Sequence, residues 1–134
     1  MASLVKIEGI GEKYATKLKM VGISTTDSLL DRGSTPNGRE EIAKKSGISK
    51  TLILEWVNLA DLFRIKGVGE EYSDLLEEAG VDTVVELAQR NPDNLYKSVV
   101  EVNQKKKLVR KLPTQKQVGD WVKQAKNLPR VLEY

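Results

Sequence analysis

Cysteine and histidine are both absent from this 134-residue chain. Their absence removes disulfides, thiolate nucleophiles, imidazole acid-base chemistry and the zinc sites built from nitrogen and sulfur ligands. Long apolar runs are missing too. No stretch approaches the roughly 18 to 20 uncharged apolar residues that a membrane span needs, and residues 1–11 lack the apolar core of a secretory signal. The expectation is a cytoplasmic protein without membrane contact, although a lack of cysteine fits any compartment. Carboxylates remain, but the neighbours Glu70-Glu71 and Glu77-Glu78 diverge on a helix and cannot share a metal or a proton unaided. There is no nucleophile motif and no phosphate-binding loop of the nucleotide-hydrolase kind. The sequence therefore offers no catalytic residue, and no enzyme activity, cofactor or metal is expected.

What is present is enough apolar material, 40% of residues, to bury a core in one compact domain or two small ones. Net charge is +3, a mild excess whose distribution matters more than its total. Between residues 105 and 130 stand Lys105, Lys106, Lys107, Arg110, Lys111, Lys116, Lys123, Lys126 and Arg130, against Asp120 alone. The C-terminal quarter should present a basic surface.

The chain contains an internal repeat. Ile7-Glu8-Gly9-Ile10-Gly11-Glu12-Lys13-Tyr14 returns as Ile65-Lys66-Gly67-Val68-Gly69-Glu70-Glu71-Tyr72, and the register then holds without a gap. Leu18 matches Leu76, Gly22 matches Gly80, Ile23 matches Val81, Thr25 matches Thr83 and Leu29 matches Leu87. Trp56-Val57 with Ala60 is echoed by Trp121-Val122 with Ala125 at a larger offset, because the second copy carries extra residues around Lys105 to Pro113. The chain divides near Arg64 into two units, residues 1–64 and 65–134. No Gly/Ser-rich or Pro-rich linker lies between them, so they are expected to pack together.

Within each unit the punctuation is helical. Tyr14, Ala15, Leu18 and Val21 form one stripe, with Gly22 as the stop. Thr26 is expected to cap a short helix through Leu30, ended by Gly33, and Asn37 or Gly38 to open another through Lys45. Ser49 should cap the longest helix, whose Leu52, Ile53, Trp56, Val57, Leu59 and Ala60 face inward up to Phe63. Glu70 to Ala79, Thr83 to Gln89, Pro92 to Val102 and Thr114 to Asn127 repeat that order. The expected fold class is all-α, two pseudo-repeated four-helix units.

The turns Ile7-Glu8-Gly9-Ile10-Gly11 and Ile65-Lys66-Gly67-Val68-Gly69 resemble the hairpin of helix-hairpin-helix proteins. The continuation through Tyr14, Leu18, Gly22-Ile23, Leu29 and Gly47-Ile48-Ser49 looks like the small helical domain at the N-terminus of RadA-type recombinases. As a tandem, the chain resembles an uncharacterised prokaryotic family, a domain of unknown function made of two such units with a SAM-like fold. The hairpin resemblance implies sequence-independent DNA binding, with backbone amides meeting phosphate oxygens and sometimes a monovalent cation held by hairpin carbonyls.

Gly9 and Gly11 let the backbone turn tightly and approach a ligand, and the first amides of the following helix are donors suited to an anion. A second reading is structural, with the glycines joining two helices and Ile10 plugging the core. The two copies differ in charge: Lys6, Lys13, Lys17 and Lys19 outnumber Glu8 and Glu12 around the first turn, whereas Glu70, Glu71, Asp74, Glu77 and Glu78 face Lys66 around the second. The second turn, Gly67-Val68-Gly69, should repel phosphate and serve structure or a protein contact. It could dock on a basic surface, either the Lys105 to Lys111 run or a partner's.

Lys105, Lys106, Lys107, Arg110 and Lys111 read either as a solvated helix end or as a patch for nucleic acid. Trp56 and Trp121 fall at equivalent core positions, and Tyr14 and Tyr72 are expected to be buried with a hydroxyl partner. The leading functional expectation is a non-catalytic module that holds DNA nonspecifically through Lys6, Gly9, Ile10, Gly11, Lys13 and Lys17 and through the Lys105 to Lys111 run. The alternative is a protein-interaction or self-association module.

Overall fold

The computed structural model describes residues 2–134, which are all-α. Among these residues are eight α-helices: α1 Glu12–Lys19, α2 Thr26–Arg32, α3 Pro36–Ser46, α4 Lys50–Leu62, α5 Glu70–Glu78, α6 Val84–Ala88, α7 Pro92–Lys106 and α8 Gln115–Asn127. A 3-10 turn, Leu4–Lys6, precedes α1, and Ser3 and Thr25 form one isolated bridge. Two compact units result, one running to Asp61 and including Val131–Tyr134, the other spanning Leu62–Arg130.

The units use the same local devices at equivalent positions. In the first, Ile7, Leu18, Ile23, Leu29, Ile53, Trp56 and Val57 are buried; in the second, Ile65, Leu76, Val81, Leu87, Trp121 and Val122 are. The chain turns back after α1 through Gly22 at φ +88 and after α5 through Gly80 at φ +93. The amide of Ile23 donates to the Leu18 carbonyl at 2.9 Å, and that of Val81 to the Leu76 carbonyl at 2.9 Å. These left-handed glycine caps satisfy carbonyls that the helix ends would leave orphaned. Arg90 adds a donor to the Gly80 carbonyl at 3.0 Å.

Six of the eight helix starts are set by hydroxyls or, at α7, an amide. Thr25, not Thr26, caps α2, accepting from the Ser28 amide at 3.1 Å, while Thr26 is buried. Thr35, rather than Asn37 or Gly38, opens α3, accepting from the Gly38 amide at 3.0 Å. Pro36 explains the choice, because proline suits the first helical position and holds the residue before it extended. Ser49, Thr83, Asn91 and Thr114 cap α4, α6, α7 and α8. The longest helix is α7, with 15 residues against 13 in α4. It passes Val102 because no glycine or proline stops it, and it ends at Lys107 with φ +50.

Val131–Tyr134 follow the second copy in the chain yet belong to the first unit. The Glu133 amide donates to the Ser34 carbonyl at 2.8 Å, and buried Arg39 donates to the carbonyls of Gly33 and Glu133 at 2.8 and 2.7 Å. Leu132 is buried beside them in sequence.

Gly80→Ala should lower stability by about 1–2 kcal/mol, the cost of a side chain in the left-handed region. Gly119→Ala, in the interior of α8 with open space where its Cβ would go, should raise stability by roughly 0.5–1 kcal/mol. Urea denaturation of both variants checks the contrast.

Candidate functional site

Each unit begins with a glycine turn and then a helix. In the first, the Ile10 amide closes on the Ile7 carbonyl at 3.1 Å and the Ile10 side chain is buried, so the backbone on either side faces outward. Gly9 adopts φ +94 and its counterpart Gly67 φ +93, a region that L side chains avoid.

Gly11 is different. Its φ of −84° and ψ of −177° are open to any residue, and a Cβ there would meet nothing within 4 Å. Neither conformation nor packing demands glycine at this position, nor at Gly69, where a Cβ also has open space. Both are N-cap residues, and both leave their helices without a side-chain cap. The other six helices all have one. The first-turn amides of α1 and α5 are therefore the ones left without a capping side chain.

The tryptophans are buried, each 1% exposed, as core residues, and they also close the turns. The Trp56 Nε1 lies 3.1 Å from where a Gly9 Cβ would sit, and the Trp121 Nε1 lies 3.1 Å from the same point on Gly67. Tyr14 packs on Trp56 with centroids 5.0 Å apart at 59°, and Tyr72 packs on Trp121 at 5.2 Å and 50°. These tilted contacts are the favoured aromatic geometry. Both tyrosines are half-buried rather than buried, and the Tyr72 hydroxyl donates to the Lys111 carbonyl at 2.9 Å.

The surroundings of the two turns diverge. Lys13 and Lys17, four residues apart, share one face of α1; Lys13 is exposed, and Lys17 holds its ammonium 5.9 Å from the Tyr14 centroid. Lys6 ends the preceding 3-10 turn. At the second turn, α5 opens with exposed Glu70 and Glu71. Gln124 also braces that turn, accepting from the Lys66 amide at 2.9 Å and donating to the Lys66 carbonyl at 3.1 Å. The equivalent residue of the first unit is Leu59, which can form no such brace.

The basic run is ordered within the second unit. Asn103 accepts from the Val109 amide at 3.0 Å and donates to its carbonyl at 3.3 Å, folding the segment after α7 back on itself. Lys106 pairs with Glu78 of α5 at 2.6 Å, and Lys105 with Glu101 at 3.6 Å. Lys107, Arg110 and Lys111 are exposed. Lys6, Lys13 and Lys17 thus lie in one unit and Lys105 to Lys111 in the other. Among the described residues no cluster of carboxylates could hold a metal ion, and no helix is long and apolar enough to cross a membrane.

A family model for a domain of unknown function, DUF4332, matches residues 8–128, which include both glycine turns and all eight helices. The chain belongs to this family. No solved structure matches it. In this DUF4332 chain Asn103 braces the added length of the second copy at Val109, and the Tyr72 hydroxyl holds it at Lys111. Asn103→Ala should cost about 1–3 kcal/mol by leaving both Val109 backbone groups without this partner, and hydrogen exchange at the Val109 amide should accelerate. Glu78→Gln removes only a partly exposed ion pair and should change stability by less than ~1 kcal/mol.

Proposed function

We propose that the chain is a non-catalytic cytoplasmic module of tandem helix-hairpin-helix type that binds duplex DNA through its phosphates, without reading bases. The observation that carries this reading is Gly11. A serine or threonine there would cap α1 and add about a few tenths of a kcal/mol over glycine. Glycine instead leaves the first-turn amides open and the backbone approachable, with Lys13 and Lys17 on the same helix. Open amides at the positive end of a helix dipole suit a phosphate oxygen.

The second turn has the same backbone but opposite electrostatics. Glu70 and Glu71 at the start of α5 oppose a phosphate, so Gly67-Val68-Gly69 serves the fold and a protein contact. Exposed Lys107, Arg110 and Lys111, with Lys105, supply a second contact to the duplex. Lys106 is already engaged by Glu78. A self-association module is the second reading, favoured by exposed acidic and basic groups in one chain. Light scattering at low and high salt tests it, because such a complex should dissociate as salt rises.

Fluorescence anisotropy of a labelled random-sequence duplex should show binding whose logarithm falls linearly with the logarithm of salt concentration. Replacing Lys13 and Lys17 together by alanine should weaken binding equally for all sequences and reduce the salt slope by about 2. No binding at low salt would overturn the DNA reading in favour of a protein partner.

A further inference from the structure

We propose that the first unit carries a docking slot for a short extended segment, filled in the single chain by Val131–Tyr134, and that the same residues of a second copy take that slot at high protein concentration, joining two chains by exchange. This inference is independent of the DNA-binding reading.

Val131–Tyr134 lie outside any helix, and their side chains alternate as those of an extended docked peptide do. Leu132 is 2% exposed, whereas the next residue, Glu133, is exposed. Glu133 contributes its backbone: its amide donates to the Ser34 carbonyl at 2.8 Å, and its carbonyl accepts from Arg39 at 2.7 Å. The Tyr134 ring centroid lies 5.9 Å from the Arg39 guanidinium, and the Tyr134 hydroxyl donates to the Asn58 side-chain oxygen at 2.8 Å. Recognition thus rests on a leucine, a stretch of backbone and a tyrosine.

The chain leaves the first unit at Asp61, builds the whole second unit and only then supplies this segment. Every contact in the slot is noncovalent, and a second copy offers the identical set, which is the basis of element exchange between like chains. One buried leucine and a few hydrogen bonds can be released by local opening while the helices persist. An empty slot is disfavoured, because Arg39 is only 7% exposed and the Glu133 carbonyl is one of its acceptors. Losing that acceptor leaves a largely buried cation short of a partner. A vacated slot is therefore refilled. Filling from the same chain acts at an effective concentration on the order of millimolar, so exchange between chains belongs to that range.

The test uses the full chain at high salt, which suppresses association through surface charge. Refolded from urea at on the order of 1 mM, the chain should contain a dimer by sedimentation velocity, and Leu132→Asp should abolish it. Isotope-filtered nuclear magnetic resonance of a dimer refolded from labelled and unlabelled chains should show contacts from Leu132 and Tyr134 of one chain to Arg39 and Asn58 of the other. Those contacts are read without any substitution, so they stand even if Leu132→Asp unfolds the first unit. A chain that stays monomeric under these conditions would overturn the proposal. A dimer that persists in Leu132→Asp, or that lacks these contacts between chains, would overturn it as well.

Discussion

Each unit is organised by an indole ring seated against a glycine turn. The turn reverses only because Gly9 and Gly67 tolerate positive φ, and the space their missing Cβ atoms leave is faced by Trp56 and Trp121. The rings come from the last helix of each unit and the turns from the beginning, so this contact ties the ends of the unit together. Tyr14 and Tyr72 press on the same rings from the following helix. Each ring buries a large apolar area at the centre of its unit.

Duplicated backbone did not keep duplicated chemistry. Both copies retain the uncapped helix start after the second turn glycine, but the first surrounds it with lysines and the second with glutamates. The second copy further ties its turn with Gln124 and pairs its acidic helix with Lys106. An anion site needs both donors and a favourable potential. Only the first copy sets lysines beside its uncapped helix start; the second sets glutamates there. In the DNA-binding proposal the lysines would supply the salt-sensitive attraction and the amides the position, without base recognition.

Most of the fold was legible in the sequence because its determinants are local. Apolar spacing of three and four, glycine stops and the repeat itself indicated eight helices in two like units. Where helix bounds depart from spacing alone, the causes are also local. Where several capping residues stand together, as at Thr25-Thr26 and Thr35 to Gly38, the geometry of the neighbouring residue decides among them, and Pro36 selects Thr35. Helix α7 runs on to Lys106, past Val102, because no stop residue marks an earlier end. Of the candidate site, the turn glycines and lysines were legible. The separation of the basic residues into paired Lys105 and Lys106 and exposed Lys107, Arg110 and Lys111 was not.

The sequence by itself determined the helices, the repeated core and the opposite charge of the two turns, since each follows from residue type and short-range spacing. Only the tertiary structure decided that Val131–Tyr134 complete the first unit, that Lys106 meets Glu78, and that the Trp56 indole packs against Gly9. Periodicity places a residue on a helix face. It does not say which distant atom that side chain will meet, because that depends on how the helices come together in space.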